Sequence, residues 1–148
     1  MIKKFLKNKI IDLLEMRKNK FHPMTFIKGN PKIGKNVYIG LFSEVNATKG
    51  NVVLGDNCDI ASFVSINVAD SHKMTVGLID EIERGDIVFE NNVFVGSHCF
   101  IGGKVHIGHH SAIAAGTILI GNDINIPPYS LIVGNPYKIK KGYYDKSQ

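Results

Sequence analysis

Six histidines are the side chains of this sequence best able to move protons near neutral pH, and one of them stands apart. His72 lies in the segment ADSHKM, two positions after Asp70. An imidazole beside a group that orients its ring suits general-base work, and Asp70 or a backbone carbonyl could do the orienting. His22 precedes Pro23, His98 lies in GSHCFI, and His106, His109 and His110 fall close together. Ser43, Glu44, Asn46 and Thr48 form a polar cluster upstream of the loop. Cations gather at both ends, with Lys138, Lys140, Lys141 and Lys146 in the tail.

These groups must be held by a six-residue beat that runs through most of the chain. Ile33-Gly34, Ile39-Gly40 and Val45-Asn46 open it. After a three-residue slip come Leu54-Gly55, Ile60-Ala61 and Ile66-Asn67. Phe89, Val95, Ile101, Ile107, Ile113 and Leu119 continue, and after a one-residue slip Ile120-Gly121, Ile126-Pro127 and Ile132-Val133 close the series. This period fits neither a helix nor a plain strand alternation. Hexapeptide repeats are a signature of a parallel β-helix, in which a short strand and a tight corner alternate. Three hexads make one triangular turn, so the beat codes about five turns. Gly34, Gly40, Asn46, Gly55, Asn67, Gly96 and Gly121 are expected at the corners, several with positive φ. The beat breaks between Ile66 and Phe89, which predicts a loop at 67–88 thrown outward. His72 lies in that loop, and Asp80, Glu81, Glu83 and Asp86 make the rest of it acidic.

The length of 148 residues suits one domain. The expected organisation is an N-terminal helical cap at 1–26, the β-helix at 27–136 and a tail at 137–148. Ile2, Phe5, Leu6, Ile10, Leu13 and Leu14 recur at helical spacing among lysines. Two readings compete for this segment: a cap over the open first turn, or a basic amphipathic helix resting on an anionic membrane surface. The net charge is +5, but no nucleic-acid motif accompanies it, so no nucleic-acid partner is expected. Cys58 and Cys99 fall inside hexads and read as buried free thiols of a reducing compartment. No apolar run is long enough to span a bilayer, and the expected location is the cytoplasm or the inner face of its membrane.

Three segments carry a family resemblance: GDNCDIASFVSINVADSH, FENNVFVGSHCFIGGKVHIGHHSAIAAGTIL and IPPYSLIVGNPYKIKK. Together with the repeat they resemble the left-handed β-helix acyltransferases, or hexapeptide transferases, over roughly residues 27–141. The resemblance implies an all-β, left-handed parallel β-helix assembled as a homotrimer, with active sites between adjacent prisms. It implies transfer of an acetyl group from acetyl-CoA as cosubstrate, with His72 as general base. By position it assigns Ser97, Ala115 and Gly116 to the acetyl-CoA arm, and Lys138 and Lys141 to the nucleotide phosphates. It assigns Ser43, Asn46 and Asp70 to the acceptor side, and the acidic loop to shaping the acceptor pocket. His98 is expected near the cofactor channel. The related γ-class carbonic anhydrases bind zinc through histidines on a similar prism. The spacings His106–His109 and His106–His110 do not reproduce their pattern, and no metal is expected. Phe94 stands where the family has Trp. Lys104 stands where it has Gly and is expected to bring a charge near the cofactor lane. The reading is an acetyl-CoA-dependent O-acetyltransferase of a carbohydrate hydroxyl, with surface polysaccharide assembly as the expected setting. N-acetylation of a nucleotide-linked amino sugar is the alternative within enzymes, and a non-catalytic scaffold is the alternative outside them.

Overall fold

Each hexad offers one aliphatic side chain among small or polar neighbours, a composition that favours short, half-buried extended backbone. The computed structural model describes residues 1–13 and 19–147. Its strands wind into a prism with three faces, each turn adding parallel strands to those below. On the first face Ile27, Val45, Ile66, Ile101 and Leu119 lie one above another. Ile33, Leu54, Phe89, Ile107 and Ile126 stack on the second face. Ile39, Ile60, Val95, Ile113 and Ile132 stack on the third. These three stacks of five side chains run through the core, all but Ile33 of them buried, and Val37, Val52, Val64, Val68, Ile87, Val93 and Val105 are among the residues that fill it out. A fully buried aliphatic side chain contributes about 1.5–3 kcal/mol. The solenoid therefore holds together level by level. The first turn opens one hexad earlier than the beat indicated, with Ile27 in the strand Phe26–Gly29.

Two expectations about the beat are corrected. Ile120 does not open a new hexad, since it is exposed while Leu119 points inward. The slip is a bulge: Gly103 pairs with Gly121 but Val105 pairs with Ile124, so one strand carries an extra residue. Positive φ also falls elsewhere than expected. Gly34, Gly40, Gly55, Gly96 and Gly121 do not adopt it, whereas Asn36, Asn57, Asn92, His110 and Tyr129 do, at the corner between the second and third faces. Phe42, Phe63, His98 and Gly116 adopt it at the corner between the third and first. Gly40 is small for another reason: a Cβ there would stand 2.6 Å from the Ser62 nitrogen of the next turn.

The interior corners take small polar or sulfur side chains, each satisfied. Thr25, Ser43, Ser111, Thr117 and Ser130 are buried. Cys58 and Cys99 are buried free thiols whose Sγ atoms donate to the Glu90 and Ala114 carbonyls, and burial pushes both thiols up.

The ends depart from the expected organisation. Helix α1 (Ile2–Leu13) does not cap the first turn: Phe5 is 59% and Leu13 81% exposed. Leu14, Arg17 and Lys18 lie outside the described residues. The segment from 137 begins as a strand, Tyr137–Lys140, antiparallel to Leu131–Gly134, with Ile139 opposite Ile132. It closes the last turn of the third face. Among the described residues no helix is long and apolar enough to cross a membrane.

Candidate active site

The loop that interrupts the beat is built, not slack. It leaves the third level at the corner between the first and second faces. Ala69–Asp70 pairs with Glu83–Arg84 in a short antiparallel ladder. Between those strands lies helix α2 (His72–Thr75). Lys73 Nζ lies 3.0 Å from Glu83 Oε1. Arg84 Nη1 donates to the Thr48 carbonyl at 3.0 Å and ties the loop to the turn below. Arg84, and the pairing of Glu83 with Lys73, escaped the sequence reading because no periodicity marks a residue that braces a loop.

His72 is held by its near neighbour. Its Nδ1 lies 2.6 Å from Asp70 Oδ1, and its backbone N–H donates to the same oxygen at 3.0 Å. Of the two candidates for orienting the ring, the carboxylate makes the contact. The His72 backbone N–H, then its side chain, hold the Asp70 carboxyl below its ordinary value. With Nδ1 engaged, Nε2 is the ring atom left to take a proton. His72 borders a groove of about 510 Å³ together with Ser71, Phe100, Gly102 and Ile120. A second hollow of about 370 Å³ shares Asp70, Gly103 and Ile120 and adds Glu83, Arg84, Asp86 and Lys104. The acidic loop residues are therefore partly engaged: Glu83 with Lys73, and Asp86 Oδ1 with Asn51 Nδ2 at 3.0 Å.

Ser97, Ala115 and Gly116 come together at another corner, between the third and first faces. The Gly116 N–H donates to the Ser97 carbonyl at 2.9 Å, which stacks the two turns. A Cβ on Gly116 would meet nothing within 4 Å, so the space outside this backbone is open to a ligand. Thr117 Oγ1 donates to the Ala114 carbonyl and accepts the Gly134 N–H, which anchors the Gly134–Tyr137 turn to this corner. Lys138 and Lys141 follow that turn and are exposed. An exposed backbone strip ending in two cations fits an extended thioester arm with phosphates at one end. His98 stands at this corner, stacked on Phe63 with ring centroids 4.9 Å apart.

One chain keeps these two groups of residues on opposite edges of the first face. Ser97 lies in the turn before the strand Phe100–Ile107, at the corner between the third and first faces, whereas Gly102, on the His72 groove, lies further along that strand toward the loop corner. Lys104 stands at the loop corner, paired with Asp123 at 3.3 Å, and not beside the Ser97 strip as expected.

On the acceptor side Ser43 is corrected. It is 0% exposed, its hydroxyl donates to the Ala61 carbonyl and accepts the Val64 N–H, and it belongs to the core. Asn46 is half-buried on the first face, below Asn67 and Gly102 in the same ladder, and its Oδ1 accepts the Thr48 N–H. Glu44 is paired with Lys28 at 2.7 Å. The remaining histidines have partners away from the loop. The Met24 N–H donates to His22 Nδ1, His106 Nε2 lies 3.1 Å from Glu90, and His109 and His110 meet through their Nδ1 atoms at 2.9 Å. No group of three or more His, Cys, Asp or Glu able to hold a metal ion occurs among the described residues.

No family model matches the chain. It is 38% identical over 113 residues to proteins named as acetyltransferases in Staphylococcus aureus strains COL and MSSA476, covering 74% of this chain and 54% of theirs. The chain thus spans about half the length of the curated relatives it matches. Among solved structures it is similar to galactoside acetyltransferase in complex with coenzyme A, with 29% identity, TM-score 0.68, and coverage of 83% of this chain and 60% of that one. It is similar to the polySia-specific acetyltransferase NeuO at 28% identity and TM-score 0.61, over 79% of this chain and 60% of that one. A mutant of AntD, an N-acyltransferase from Bacillus cereus crystallised with dTDP-4-amino-4,6-dideoxyglucose and coenzyme A, shares the fold at TM-score 0.72 and 18% identity, over 85% of this chain and 70% of that one. The hexapeptide repeat, the β-helix it builds and these likenesses in sequence and fold place the chain in the hexapeptide-repeat acyltransferase family.

Proposed function

We propose that the protein transfers an acetyl group from acetyl-CoA to a hydroxyl of a carbohydrate, with His72 as general base. The observation that carries this reading is the Asp70–His72 pair, which fixes the ring at Nδ1 and leaves Nε2 on a groove. In the proposed step Nε2 takes the acceptor hydroxyl proton as the oxygen attacks the thioester carbonyl carbon. A carbon–oxygen bond forms, the carbon–sulfur bond breaks, and the CoA sulfur leaves with the proton returned from the imidazolium. Asp70 stabilises the charge that the ring carries between those events. Asn46 and the hollow around Arg84 and Lys104 offer hydrogen-bonding groups to a polar acceptor. Galactoside acetyltransferase and NeuO lend the carbohydrate reading their names, and surface polysaccharide assembly is the setting we infer.

The separation of His72 from the Ser97–Gly116 strip supports a shared site. A copy packed alongside would bring its strip to this chain's histidine, and a closed ring of three such contacts gives the homotrimer we propose. Ser97, Ala115 and Gly116 would then line the pantetheine arm, and Lys138 and Lys141 would meet the phosphates. Exposed Phe94, Tyr38 and Ile118 on the outer faces supply apolar area for such packing.

The test is release of CoA thiol from acetyl-CoA across a panel of sugars and amino sugars. Transfer to a hydroxyl is expected, and His72→Ala should lower it by about 10²–10⁴-fold while leaving acetyl-CoA affinity nearly unchanged. Turnover only with amino sugars would replace the hydroxyl reading with N-acetylation. Turnover with none, or a fully active His72→Ala, would refute the proposal.

A further inference from the structure

Five apolar side chains of α1 are used neither by the prism nor by the site. Ile2, Phe5, Leu6, Ile10 and Leu13 are all exposed, at a spacing of three and four that gathers them on one side. Lys3, Lys4, Lys7 and Lys9 supply the cations, and Asp12 is the one acid in Ile2–Leu13. Lys9 Nζ lies over the Phe5 ring, 5.2 Å from its centroid, so one cation rests against the apolar side itself.

A second observation points the same way. Residues 14–25 connect the helix to the first turn of the prism, and 19–40 contain no acidic residue. Lys20, Lys28, Lys32 and Lys35 are exposed there. Only Lys28 among these lies in a described ion pair with a carboxylate, Glu44 of the second turn. The amphipathic helix and a lysine-rich prism end are therefore neighbours in the chain, with positive charge on both.

We infer that this end docks on an anionic lipid surface, with α1 lying in the plane of the headgroups. An apolar strip beside lysines suits the boundary between headgroups and acyl chains. Each lysine near an anionic leaflet strengthens binding by about fivefold, and salt weakens it. The histidine loop leaves the third level, about 10 Å above the first at about 4.8 Å per level, so docking would hold His72 close to the lipid.

The experiment is cosedimentation of the full chain with phosphatidylcholine vesicles, with and without phosphatidylglycerol. Binding is expected only to the anionic vesicles and should be lost in high salt. A Lys3→Gln, Lys4→Gln, Lys7→Gln variant should lower partitioning on the order of a hundredfold, at about fivefold per lysine. Phe5→Ser with Leu6→Ser should abolish it, and both variants should keep the wild-type Tm and sedimentation coefficient. No binding by the wild type would overturn the inference, as would equal binding to neutral vesicles. A changed sedimentation coefficient in the Phe5, Leu6 variant would also overturn it, because the strip would then be a contact between copies.

Discussion

Asp70→Asn separates a charge from a shape, and its effect follows from the geometry. During transfer the His72 ring gains a positive charge while Asp70 stays negative, with Nδ1 and Oδ1 2.6 Å apart. Two unit charges centred about 4 Å apart attract by about 1 kcal/mol in water and about 4 kcal/mol at an effective dielectric of 20. Here the side chains are 63% and 37% exposed, so the interaction lies toward the watery limit, about 1–2 kcal/mol. Asparagine can still accept the two hydrogen bonds that Oδ1 receives from His72, so the ring keeps its place. The expected result is a fall in kcat of about 5–30-fold, at about tenfold per 1.36 kcal/mol, with KM for acetyl-CoA unchanged. Asp70→Ala also removes the acceptor of the His72 backbone N–H and should cost more. In a His72→Ala background Asp70→Asn should add little, since the two act as one unit. Initial rates of CoA thiol release at saturating acceptor measure all four proteins. A wild-type kcat for Asp70→Asn, or full additivity in the double variant, would refute the pairing as part of catalysis.

Lys138→Ala should raise KM for acetyl-CoA more than it lowers kcat, and acetyl-pantetheine should show no such penalty; equal penalties with both donors would remove Lys138 from the phosphates. If active sites are shared, sedimentation should give a trimer, and co-refolding inactive His72→Ala with inactive Gly116→Trp should restore part of the activity; no recovery would argue that each chain is complete alone. Ile101→Ala empties the middle of the first-face stack, where the side chain is fully buried, and should destabilise by about 2–5 kcal/mol, read as a lowered denaturant midpoint.

Much of the fold was legible in the sequence because the solenoid is built from local rules. Each inward aliphatic is fixed by its place in a hexad, and the next copy of it lies one turn up, so Ile66, Ile101 and Leu119 could be assigned before their contacts were known. The loop was legible for the same reason, as a failure of the beat. Ser43 was misplaced because a polar residue in a hexad reads the same whether it faces solvent or satisfies backbone groups inside; its two hydrogen bonds to other turns decide that. Ile120 was misplaced because a one-residue bulge leaves two adjacent aliphatics, and only pairing with the turn below tells which points inward.

By itself, then, the sequence determined the repeat and the histidine at the interruption, since both are set by spacing along the chain. Tertiary structure alone decided that Asp70 holds His72, that Glu83 and Arg84 brace the loop, and that the Ser97–Gly116 strip runs along the opposite edge of the same face. Asp70 and His72 are two residues apart, but their contact depends on the conformation of the loop, while the Arg84–Thr48 and Ser97–Gly116 contacts join different turns of the prism, whose stacking no local spacing encodes.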